Sequence, residues 1–85
     1  MSISERRMIL SADSQKLVFG QFDAFAKIIE RSLHVTIITR DDEIKIVGDT
    51  ERVADAEEVL KKLASGVQRG EEISEQKVNY ILALV

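Results

Sequence analysis

The 85-residue sequence predicts a single α+β domain: a three-stranded sheet with helices on one face. Two β-branched runs, "HVTIIT" and "EIKIV", are separated by "RDDE", for which a hairpin or a slightly longer return is the simplest reading. On either side, Phe25 to Leu33 and Val53 to Val67 carry apolar residues at steps of three and four, the period of a helix face. A chain of this size holds one core, burying only about 60–65% of the surface its unfolded form exposes.

The elements follow in order. "RRMIL", Arg6 to Leu10, is a short run ending in apolar residues and fits a first strand, although its length alone does not separate a strand from a helix turn. Ser11 and Asp13 can accept hydrogen bonds from the first free N–H groups of a short helix over "SQKLVF". Gly20 ends that helix, since glycine enters the left-handed region cheaply. "DAFAKIIERSL" then turns Phe25, Ile28, Ile29 and Leu33 to one side and Lys27, Glu30 and Arg31 away from it.

After the two β-branched strands, which are expected to pair antiparallel, Gly48 closes the second of them. Asp49 or Thr50 caps a long helix buried through Val53, Ala56, Leu60, Leu63 and Val67. "QRGEE" breaks it at Gly70, and Ser74 caps a last helix with Val78, Ile81, Leu82 and Val85 apolar. Because the sequence stops on "ILALV", a piece of a longer chain and a short protein whose last helix docks on its own core are both open. The chain is expected to self-associate or to leave Ile81, Leu82 and Val85 partly exposed, unless that helix folds back.

Composition excludes several classes. With 45% apolar and 32% charged residues the chain is soluble and globular in character, not disordered. There is no cysteine, hence neither a disulfide framework nor a thiolate metal site. "MSISERRMIL" has only a three-residue apolar run, too short for a signal peptide or a span, so a cytoplasmic location and no membrane partner are expected. The net charge of −3 argues against indiscriminate phosphate binding, but it is unevenly spread. Met1 to Arg40 holds four acids and six bases, whereas Asp41 to Val85 holds eleven acids and six bases, so the front half can still meet an anion.

The stretch "VFGQFDAFAKII" bears on function. Strand, helix, glycine loop, helix, strand, strand, helix is the order of a type I KH (K homology) domain, which the sequence resembles from Leu17 to Leu63. The matching positions are Val18 and Phe19, Gly20, Phe25 with Ile28 and Ile29, Val35 with Ile37, Ile44 with Ile46, Gly48, and Val53 with Ala56. In that family a Gly-x-x-Gly loop between two helices clamps a backbone of about four nucleotides, its glycines letting phosphates approach main-chain N–H groups. Here "GQFD" puts Asp23 at the second glycine, and its carboxylate repels phosphate.

The whole order, with the tail "LASGVQRGEEISEQKVNYILALV", resembles the amino-terminal domain of PhoH-like ATPase proteins. The resemblance implies residues 1–70 as a KH-like domain and 71–85 as a helix leading towards a P-loop ATPase domain. The parent protein would use ATP and Mg²⁺ there, while this chain by itself needs no cofactor and is no enzyme. No Gly-x-x-x-x-Gly-Lys-Ser/Thr occurs in it.

The candidate nucleic-acid-binding residues are Lys16, Gly20, Gln21, Phe22, Asp23, Lys27, Arg31 and Arg40. The four cations could flank one groove; the alternative is an ordinary solvated face, with Lys27 and Arg31 paired to Asp23 and Glu30. Phe22 either stacks on a base or packs as a staple on the start of the second helix. His34, the single histidine, has no second ligand for a metal and no placed nucleophile to activate, and "RDDE" lacks the spacing of a calcium loop.

Two functions from different classes remain. One is weak binding of single-stranded RNA and its presentation to the ATPase domain of the same polypeptide. The other is a protein interaction or homo-oligomerisation module whose degenerate loop meets no nucleic acid.

Overall fold

In the computed structural model, which describes residues 2–85, the last strand in sequence is the middle strand of the sheet. The strands are β1 (Ile3–Ile9), β2 (Thr36–Arg40) and β3 (Glu43–Asp49), and β3 pairs antiparallel with both of the others. Ile46 lies opposite Arg6 on one side and Ile37 on the other. Strand alternation therefore sends Ile44 and Ile46 inward, where they are fully buried, and Glu43, Lys45 and Val47 to the open face. Asp41 and Asp42 alone connect β2 to β3, with Asp41 at φ 57°, a left-handed geometry that aspartate tolerates.

The helices are α1 (Ala12–Phe19), α2 (Ala24–Leu33), α3 (Thr50–Gln68) and α4 (Glu75–Leu84), with a single 3-10 turn over Gln21–Asp23. This is the β-α-α-β-β-α order of a type I KH-like fold, extended by one further helix. α3 lies across β1 and β3 and buries Val53, Ala56, Val59, Leu60 and Leu63 completely. Val59, outside the predicted apolar stripe, doubles it beside Leu60, while Val67 at the end of the helix is only partly buried. α1 adds Val18 and Phe19, and α2 adds Ala26, Ile29 and Leu33, with Phe25 and Ile28 at the margin of the core.

α4 folds back. It touches α2 and α3, burying Val78 completely and leaving Ile81 only 6% exposed. Leu82 is partly buried, whereas Tyr80, Leu84 and Val85 face outward. The reversal is made by Gly70 and Glu71, whose N–H groups donate to Val67 O at 3.0 Å and Gly66 O at 2.9 Å, and Ser74 Oγ then accepts from Lys77 N–H. Lys77 also pairs with Glu71. No helix among the described residues is long and apolar enough to cross a membrane.

Three local expectations need correction. β1 begins at Ile3, not Arg6, because its first residues take their order from pairing with Gly48 and Asp49. Gly48 therefore lies inside β3, and its bare Cα serves packing: a Cβ there would stand 3.0 Å from Val35 Cγ1. Neither Asp49 nor Thr50 caps α3 with its side chain, since the Thr50 hydroxyl lies 3.0 Å from that of Ser4 and ties the helix start to β1 instead.

Candidate nucleic-acid interface

α1 and α2 meet at a turn that glycine opens. Ser11 starts α1 as expected, its hydroxyl accepting from Ser14 N–H, and the Gly20 N–H donates to Lys16 O at 3.1 Å to close it. Gly20 has φ 78° and ψ 177°, not the left-handed helical values the sequence suggested but an extended mirror-image conformation that is essentially glycine-only. The Phe25 ring packs against it so closely that a Cβ on Gly20 would stand 2.6 Å from Cδ2.

The chain then makes one tight turn, with Asp23 N–H donating to Gly20 O at 3.1 Å. Phe22 (φ 56°, ψ 31°) and Asp23 (φ 57°, ψ 28°) are both left-handed, a conformation open to glycine and unfavourable for phenylalanine. The turn pushes the Phe22 ring outward, 84% exposed, so it is not a staple on α2. Asp23 stands at the start of α2, yet its carboxylate makes no capping hydrogen bond and remains exposed.

Lys16 lies in the last turn of α1, and Lys27 and Arg31 are one turn apart on the outer side of α2, all three exposed. None of them is in an ion pair among the described residues. Glu30, expected to share their charge, is committed elsewhere: its Oε2 accepts the Ile37 N–H at 2.8 Å and ties α2 to β2. Lys16 in the last turn of α1 and Lys27 in the first turn of α2 flank the Gly20–Asp23 turn, whereas Arg31 lies in the last turn of α2, at the other end of that helix.

Arg40 is not brought to the turn. Its place opposite Glu43 turns it to the open face of the sheet, in a shallow hollow with Arg7, Ile38, Thr39, Glu43 and Lys45. The hairpin that carries it is moored near the start of α1, because Gln15 Nε2 donates to both Leu10 O and Asp41 O at 2.8 Å. Arg7 and Lys45, absent from the sequence-derived set, accompany Arg40 there. Strict alternation along the first strand, which puts Arg7 on the face opposite Met8, was the available signal.

No protein-family model matches the chain. A PhoH-like protein of Bacillus subtilis (strain 168) is 32% identical to it over 82 residues, which is 96% of this chain. The chain resembles the amino-terminal domain of PhoH-like proteins. It spans about a quarter of the length of that PhoH-like relative, 26%. Among solved structures, Dim2p from Pyrococcus horikoshii OT3 superimposes with a TM-score of 0.77 at 14% identity, over 98% of this chain and 49% of that one. A protein of unknown function from Aeropyrum pernix superimposes with a TM-score of 0.78 at 17% identity, over 99% of this chain and 47% of that one. At such identities the likeness is one of fold, and it extends over α4 as well as the KH-like part.

Proposed function

We propose that this chain is the accessory domain of a PhoH-like protein, binding single-stranded RNA weakly at the α1–α2 junction and presenting it to an ATPase domain of the same polypeptide. ATP and Mg²⁺ would be handled by that domain, since this sequence has no P-loop. The observation that carries the reading is the backbone at Asp23. At the position of the second clamp glycine it keeps a left-handed φ of 57° despite the change of residue. A left-handed backbone at this position, which glycine would adopt freely, supports the clamp reading.

Electrostatics set the strength. A carboxylate about 4 Å from a phosphate is opposed by about 1 kcal/mol in bulk water and about 4 kcal/mol near a protein surface. Lys16, Lys27 and Arg31, in no ion pair among the described residues, offset that repulsion, and Phe22 offers a face for one base, a contact of about 1–3 kcal/mol. The sum favours a dissociation constant in the non-specific range, about 10⁻⁴ to 10⁻⁶ M.

Titrating fluorescently labelled single-stranded RNA with the chain at low salt, read by anisotropy, tests this. Weak saturable binding that salt abolishes is the expected result. No binding by the wild type and none by Asp23→Gly would move the domain to the interaction-module reading.

A further inference from the structure

β1 is an edge strand: β3 pairs with one side of it, and no strand lies on the other among the described residues. Such an edge presents a row of unpaired N–H and C=O groups, a template for another strand. Its seven residues, "ISERRMI", are chemically self-complementary when reversed about Arg6. Ile3 answers Ile9, Ser4 answers Met8, and Glu5 answers Arg7 with the opposite charge. Arg7 opposite Lys45 and Glu5 opposite Val47 put the odd-numbered residues of β1 on the open face, where Ile3 is 79% and Ile9 67% exposed.

We propose that β1 pairs antiparallel with β1 of a second copy, about a two-fold axis through Arg6, to form one continuous six-stranded sheet. Each Ile3 then lies opposite Ile9 of the partner subunit, and each Glu5 opposite Arg7 of the partner subunit, twice over by symmetry. Paired residues share parity, so the outward main-chain groups of the two strands meet and both open faces stay on one side. Within one copy Glu5 is already 2.9 Å from Arg7 and 3.8 Å from Lys45, and Arg7 is 4.0 Å from Glu43. Such exposed pairs are weak, and exchanging them across the axis leaves every charge matched.

The register selects itself. A slip of two residues one way sets Glu5 against Glu5, and the other way sets Arg7 against Arg7 and Glu5 against Ile9. At the axis Arg6 meets Arg6 of the partner subunit, but each guanidinium is drawn to the helix side by Glu57 of α3 at 2.8 Å, which neutralises the contact. This pairing makes no use of the RNA reading and stands apart from it.

Sedimentation equilibrium of the 85-residue chain over a concentration series into the millimolar range is the test, with circular dichroism to confirm that each variant folds. The expected result is a reversible monomer–dimer equilibrium. Arg7→Glu, which sets two carboxylates opposite each other at both symmetric positions, should weaken it roughly 10- to 100-fold. Glu5→Arg, which opposes two guanidinium groups, is the independent second variant and should act alike. The double exchange Glu5→Arg with Arg7→Glu restores the complementarity and should restore the wild-type affinity. A monomer at every concentration, a dimer indifferent to Arg7→Glu, or a double exchange no tighter than the single variants overturns the proposal.

Discussion

Gly20 and Phe25 form a lock at the helix junction: the aromatic ring fills the space a Cβ would take, 2.6 Å from Cδ2. Gly20→Ala meets two penalties, a backbone of φ 78° and ψ 177° that alanine resists and an overpacked contact. Each is worth about 1–3 kcal/mol, so a loss of about 2–6 kcal/mol is expected in denaturant unfolding. Phe25→Leu in that background should recover part of it by relieving the contact and leaving the backbone strain.

Asp23→Gly should leave stability nearly unchanged while altering binding. Relief of a left-handed backbone, about 1–2 kcal/mol, is opposed by glycine's unfolded-state entropy, about 0.5–1 kcal/mol, and by loss of a carboxylate near the N-terminus of α2, about 0.3–1 kcal/mol. RNA affinity should rise roughly tenfold as the repulsion disappears. Removing Lys27 and Arg31 together should weaken binding evenly across sequences and flatten the salt slope by about 1.4, as loss of two phosphate contacts on a single strand does. Anisotropy titrations at several salt concentrations measure both effects.

Leu60→Ala should destabilise by about 2–5 kcal/mol, because Leu60 is fully buried beneath α3 and leaves a cavity. Val67→Ala should cost less, that side chain being only partly covered. Urea midpoints that fail to separate the two would place the centre of the core elsewhere.

Glu30→Ala should loosen β2. The carboxylate accepts the Ile37 N–H at 2.8 Å, and losing a charged acceptor costs about 1.5–3 kcal/mol. Faster hydrogen exchange at the Ile37 amide is the specific sign, and Glu30→Gln, which keeps an acceptor, should show it only weakly.

The helix faces were legible because periodicity is written into the sequence: Val53, Ala56, Leu60 and Leu63 lie where their spacing puts them. So were Ser11, Gly70 and Ser74, whose roles depend on nearest neighbours. What escaped depends on contacts distant in sequence. Ile3 to Glu5 join a strand because Val47, Gly48 and Asp49 pair with them, and Arg40 leaves the loop's company because the register of β2 on β3 fixes its face. The left-handed Phe22 was hidden for another reason, since the residue's own preference argues against the conformation the turn imposes.

α4 rests on α2 and α3 and on no strand, which gives the domain a direction of mechanical weakness. A pull at its carboxyl end loads two helices first, through Val78 and Ile81, and leaves the hydrogen-bonded sheet for last. Apolar side-chain contacts peel one after another, whereas antiparallel strands pulled along their length must break together. α4 should therefore detach at low force as a separate early step.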